Sequence, residues 1–165
     1  MNNIVKNEES VKLNPEALLR EGNAIQMSPQ GYSMYPLLIP GRDTVVIEPI
    51  NAAEEGVKKT RDKQHPKRGD IVLFRREGSI LVLHRIISVK ESGYYLVGDN
   101  QTEIEGPIKA EQICGIVSTI VRKGEEIDVK NGSYRFFCGV WLFLRPIRPA
   151  ISKTIHFFKT IGKKH

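Results

Sequence analysis

Asp70-Ile71-Val72-Leu73-Phe74-Arg75 is followed, after Glu77-Gly78-Ser79, by Ile80-Leu81-Val82-Leu83-His84-Arg85-Ile86-Ile87-Ser88-Val89. Both runs are aliphatic and β-branched, and the break between them is a short turn signal, so the pair predicts a hairpin. Outward from it, Thr44-Val45-Val46-Ile47 follows Gly41-Arg42-Asp43 and stops at Pro49, as a strand does. Tyr94 to Val97, Ile113 to Val121 and Glu126 to Val129 add further strands, and Ala24 to Met27 one more before the loop Ser28–Pro36. Many short strands separated by turn residues predict a mainly β domain, an antiparallel sheet folded in a barrel-like manner.

The flanks read differently. Residues 1–13 are polar and predict a loose terminus. Asn14 as N-cap, Pro15 in the first turn, Ala17, Leu18 and Leu19 as body and Gly22 as stop predict a short helix. Residues 51–69 are polar and charged, bracketed by Pro49 and Pro66, and predict a solvated loop or flap. Phe136 to Leu144 is a run of nine apolar residues, too short for the roughly 20 residues of a spanning helix. Beyond it Ile147, Ile151, Ile155 and Phe158 recur at helical spacing among Arg148, Lys153, Lys159 and Lys163, the pattern of a basic amphipathic helix. The expected organisation is a polar terminus and short helix over 1–23, a catalytic domain over 24–130 and a basic apolar tail over 131–165.

A chain of 165 residues, 40% hydrophobic and 27% charged, suffices for one domain with a core and a short appendage, and its composition excludes global disorder. Cys114 and Cys138 have no accompanying ligand cluster, which points to reduced thiols or one disulfide and against a metal site or cofactor. The net charge of +6 is uneven: residues 131–165 carry +7 and no acid, leaving −1 for residues 1–130. The basic tail therefore predicts contact with an anionic membrane surface through residues 136–164, with a C-terminal helix packed on the domain and its lysines in water as the other reading, and it lacks a base-reading motif for specific nucleic-acid binding. Met1 to Leu13 holds Lys6, Glu8, Glu9 and Lys12, unlike a secretory signal. The expected location is the cytoplasmic side, peripherally on the membrane.

Three places can carry chemistry. Ser33 lies between Gly31 and Pro36, in a loop able to hold a hydroxyl on a turn with a backbone N–H nearby for a developing oxyanion. His84 shares a strand face with Ile80, Val82 and Ile86, where a base is shielded from water and held in one direction. Gly98-Asp99-Asn100 follows a strand, and Asp99 there can orient His84 or pin the backbone; Glu103 and Glu105 come just after. Taken singly, each is also an ordinary residue of a turn or core.

In their order, Gly31-Tyr32-Ser33-Met34-Tyr35-Pro36-Leu37, Lys67-Arg68-Gly69-Asp70-Ile71-Val72, Leu83-His84-Arg85-Ile86 and Gly98-Asp99-Asn100 resemble the motifs of the type I signal peptidases and related LexA-like peptidases. The resemblance runs from about Ala24 to Val121. It implies the folded sheet of that type, and Ser33, His84 and Asp99 as the catalytic set, with the Ser33 N–H in the oxyanion site. The bacterial branch uses a lysine in a Lys-Arg pair; His84-Arg85 stands there instead, as in the archaeal and endoplasmic-reticulum branch, and Glu105 matches a further acidic position. A lysine base must fall from about 10.4 toward 7–8, about 4 kcal/mol of environmental work, whereas histidine starts near 6.5.

The implied activity is serine endopeptidase cleavage of a leader or signal-like peptide from a precursor. A non-catalytic peptide-binding module of the same fold is the alternative, as is a self-cleaving LexA-like regulator. Residues 1–32 contain neither an Ala-Gly nor a Cys-Gly cleavage pair and are too few for a helix-turn-helix domain.

Overall fold

The computed structural model describes residues 4–6, 14–50, 65–77 and 80–144. Most of the expected flap, the turn residues Gly78 and Ser79, and the basic amphipathic stretch beyond Leu144 lie outside the described residues.

Among the described residues nine strands form one sheet: β1 (Ile4–Lys6), β2 (Ala24–Met27), β3 (Asp43–Pro49), β4 (Ile71–Arg76), β5 (Ile80–Lys90), β6 (Gly93–Val97), β7 (Glu105–Ile108), β8 (Ile113–Arg122) and β9 (Glu125–Asp128). The order is β1-β2-β3-β8-β4-β5-β6-β7, with β9 also paired to β8. All pairs are antiparallel except β1–β2. The class is mainly β, as expected. Among the described residues the sheet ends at β1 and β7, so it is open and the barrel description is loose.

The predicted hairpin is present, in register from Ile71 opposite Arg85 to Arg76 opposite Ile80. Its continuous apolar pattern has a structural cause: Ile71, Val72, Leu73 and Phe74 are all at most 1% exposed, because β4 is covered on both faces. Ile71 and Leu73 join one core with Leu19, Ile25, Met34, Leu38, Val45, Ile47 and Val117. Val72 and Phe74 join a second with Ile86, Leu96, Ile113 and Ile116. Long β8 lies against β3 on one side, and on the other meets β4 with its first half and β9 with its second.

Two strands differ from expectation. The terminus expected to be loose contributes β1, parallel to β2. β7 contains Gly106-Pro107, which reads as a breaker; at a sheet edge the missing N–H of proline costs no ladder bond.

The short helix α1 (Pro15–Arg20) forms as predicted: Asn14 Oδ1 accepts from Glu16 N and Ala17 N, and Gly22 ends it at φ +86°. Its Leu19 is buried in the first core, which ties residues 14–23 to the sheet. A longer helix, α2 (Gly132–Phe143), begins where Asn131 Oδ1 accepts from Ser133 N. The apolar run Phe136 to Leu144 forms the body of α2 and its C-cap. Its Cys138 is buried, and Tyr134 packs on the first core, across the boundary expected at residue 130.

Candidate active site

Ser33 sits half-buried in the loop between β2 and β3. Gly31 enters that loop at φ +72°, a conformation that favours glycine. Beyond Ser33, Met34 and Leu38 plunge into the first core, and Leu38 N donates to Met34 O at 2.9 Å. The exit is clamped by Asp43, which is 1% exposed. Its carboxylate accepts from Ile39 N at 2.9 Å, from Arg42 and from Arg122, and Arg122 Nη2 also donates to Leu37 O at 2.9 Å. Burial alone would raise the Asp43 pKa; the hydrogen bonds from Arg42 and Arg122 outweigh it and hold the carboxyl far below the usual range. The sequence alone does not show this clamp; an acid beside Arg42 at a strand start is its one local sign.

His84, on β5 opposite Val72, is 1% exposed, with the Phe74 ring 5.8 Å away. Its Nδ1 is 3.1 Å from Glu105 Oε1, at the start of β7. The distance is that of a hydrogen bond, but the ring does not aim an N–H at this oxygen, and Nδ1 has no bonded partner. The contact becomes an ion pair only when the imidazole is protonated. Glu105 is itself gripped by Arg76, whose Nε lies 2.9 Å from Oε2 and whose Nη2 bonds Oε1. Burial pushes the His84 pKa below its ordinary value; Glu105 opposes that, Arg76 reinforces it and Asp99 opposes it. The net result is an imidazole biased toward its neutral form.

The Gly98-Asp99-Asn100 turn joins these parts. Arg85 pairs with Val97, so continuing the antiparallel register by one residue sets Gly98 across from His84. A Cβ on Gly98 would stand 2.6 Å from Ser33 O. Cross-strand neighbours project to the same side, so the Ser33 carbonyl lies over the face toward which His84 points. Asn100 N donates to that carbonyl at 2.7 Å. No hydrogen bond joins the Ser33 hydroxyl to His84 among the described residues.

Asp99 points the other way. Arg85 Nε donates to its Oδ1 at 2.9 Å and Arg85 Nη2 to its Oδ2 at 2.8 Å, with both side chains at most 1% exposed. Arg85 Nη1 donates to Gly69 O at 2.8 Å, and Trp141 Nε1 of α2 donates to Asp99 O at 2.7 Å. The acid expected beside His84 is thus bound to Arg85, and the carboxylate that faces the imidazole is Glu105. An arginine in an aliphatic strand is itself the missed signal: its charge requires a buried acid on the face opposite His84.

Gly98→Ala is expected to push the Ser33 loop off the turn, because its Cβ would meet the Ser33 carbonyl oxygen as well as the end of the Gln101 side chain, and a backbone atom cannot swing aside as a side-chain end can. Reactivity of Ser33 toward a serine-directed probe should fall by about tenfold or more, while the circular dichroism of the sheet stays. Unchanged reactivity would show that the loop does not need this close seat.

Among the described residues, no three metal-ligating side chains cluster together. No curated protein matches the chain. The family described as Peptidase S24-like matches residues 1–121, a span holding the Ser33 loop, the His84 strand, the Gly98 turn and Glu105, and the chain belongs to that family.

Proposed function

We propose that this protein is a serine endopeptidase that cuts a leader or signal-like segment from a precursor, with Ser33 as nucleophile, His84 as general base and Glu105 as the carboxylate that steadies the imidazole. The observation that carries this reading is a buried histidine, biased toward its neutral form, across from the glycine on which the Ser33 backbone is seated. Membership of a peptidase family supports it independently.

In the first step Ser33 Oγ attacks the peptide carbonyl while its proton passes to His84, and the C=O pair moves to oxygen. The Ser33 N–H is the backbone donor for that oxyanion. Collapse breaks the C–N bond, and the imidazolium gives its proton to the leaving amine. Water, deprotonated by His84, then releases the acyl group and regenerates the hydroxyl. Glu105 stabilises the imidazolium in both halves, and Arg76 holds Glu105. Asp99 serves as a positioning residue through Arg85 and the turn.

Fluorophosphonate labelling tests this reading directly, since the probe phosphonylates an activated serine. The adduct should map to Ser33, and labelling should rise with pH as His84 loses its proton. Because burial lowers the His84 pKa, the acid limb belongs below about pH 6.5. Glu105→Gln removes a charge that raises that pKa, so the limb should move to still lower pH and the plateau should drop. Labelling elsewhere, or a limb that Glu105→Gln leaves in place, would refute the assignment of base and partner.

A further inference from the structure

Helix α2 has two unlike faces. At 3.6 residues per turn, Tyr134, Cys138 and Trp141 fall on one side, and that side meets the domain at the Arg85–Asp99 pair. Phe143, Phe136, Val140 and Phe137 fall within an arc of about 120° on the other side. They are 83%, 74%, 43% and 64% exposed, so three phenylalanines and a valine form a ridge facing water. Scattered exposed apolar residues are ordinary, but four on one helix face are an interaction surface.

Charge decides the occupant. From Asn131 to His165 the chain carries Arg135, Arg145, Arg148, Lys153, Lys159, Lys163 and Lys164 and no acid. An aromatic ridge continuous in sequence with seven cations matches a surface that is apolar beneath and anionic above, which is the interface of an acidic lipid bilayer. The helix is not long and apolar enough to cross a membrane, so it would lie in the surface plane.

We propose that α2 is an interfacial helix that seats the protein on anionic lipid through Phe136, Phe137, Val140 and Phe143. Its inner face holds the turn that carries Gly98, so the Ser33 site is presented close to the lipid surface. Lipid binding stands apart from the peptidase reading and survives its failure.

The test is flotation of the full chain with phosphatidylcholine vesicles, with and without phosphatidylserine. Wild type should float with the anionic vesicles about tenfold more strongly than with neutral ones, and less so as salt rises from about 0.1 to 1 M. Phe136→Ser, Phe137→Ser and Phe143→Ser together should cut anionic binding by about tenfold or more, with the thermal midpoint kept because all three side chains are exposed. Ser33→Ala should float like wild type. The proposal is overturned if the triple variant binds as wild type does, which would leave the cations as the sole cause. It is equally overturned if wild type ignores vesicles and forms a dimer that the triple variant loses, or binds duplex DNA in preference to lipid.

Discussion

Ser33→Ala and His84→Ala are each expected to lower turnover of a leader-like peptide by several orders of magnitude, and the double variant should lose little more. On the proposed mechanism the two groups act as one unit. Without the hydroxyl there would be no acyl intermediate, and without the imidazole the serine proton would lose its proposed acceptor. His84 is 1% exposed, so solvent cannot replace it readily. A lysine at position 84 should not rescue: its ammonium would have to lose its charge in the same dry setting, and nothing there is shaped for its longer stem. Turnover of the four proteins, the double variant included, across about pH 5–9 decides the matter. Near-normal turnover by His84→Ala would assign the base to another group.

Arg85→Met and Asp99→Asn should each destabilise the fold strongly, by about 3–5 kcal/mol, because each leaves a buried charge without its partner. For a chain of this size that is a fall in thermal midpoint of about 6–20 °C. The pair has two charge-assisted hydrogen bonds, and Arg85 spends a third on Gly69 O, so its geometry is near saturation. Replacing both together with apolar residues, Arg85→Met with Asp99→Leu, should recover part of the loss, since the penalty lies in the lone charge. Thermal denaturation of the three variants measures it. Asp99→Asn with wild-type stability but no activity would return Asp99 to the chemistry and displace Glu105.

The sequence was most informative where the physics is local. Alternation along Ile80–Val89 placed His84 on one face and Arg85 on the other, and both are where that pattern puts them. Asn14, Pro15 and Gly22 are signals acting over a few residues, and α1 obeys them. The ordered Ser33, His84 and Gly98-Asp99-Asn100 motifs pointed to a peptidase, and the family match agrees.

Local pattern failed where partners come from afar. β1 is short and its pairing with β2 supplies what its own sequence does not signal. β7 survives its Gly-Pro because it lies at an edge, a property of sheet order and not of residues 105–108. Phe136–Leu144 looks uniformly apolar in one dimension; helix packing divides it into an inward side at Cys138 and Trp141 and an open side at the phenylalanines.

What the sequence determined alone was the strand character, the mainly β class and the residue types able to do acyl transfer. Which carboxylate serves which cation was decided by tertiary structure. Asp99 and Glu105 are six positions apart and chemically alike, yet the β5–β6 register turns Asp99 to Arg85, and the start of β7 brings Glu105 to His84. A shift of one residue in that register would exchange the faces, and register is set by the summed burial of two cores, which no short stretch of chain contains.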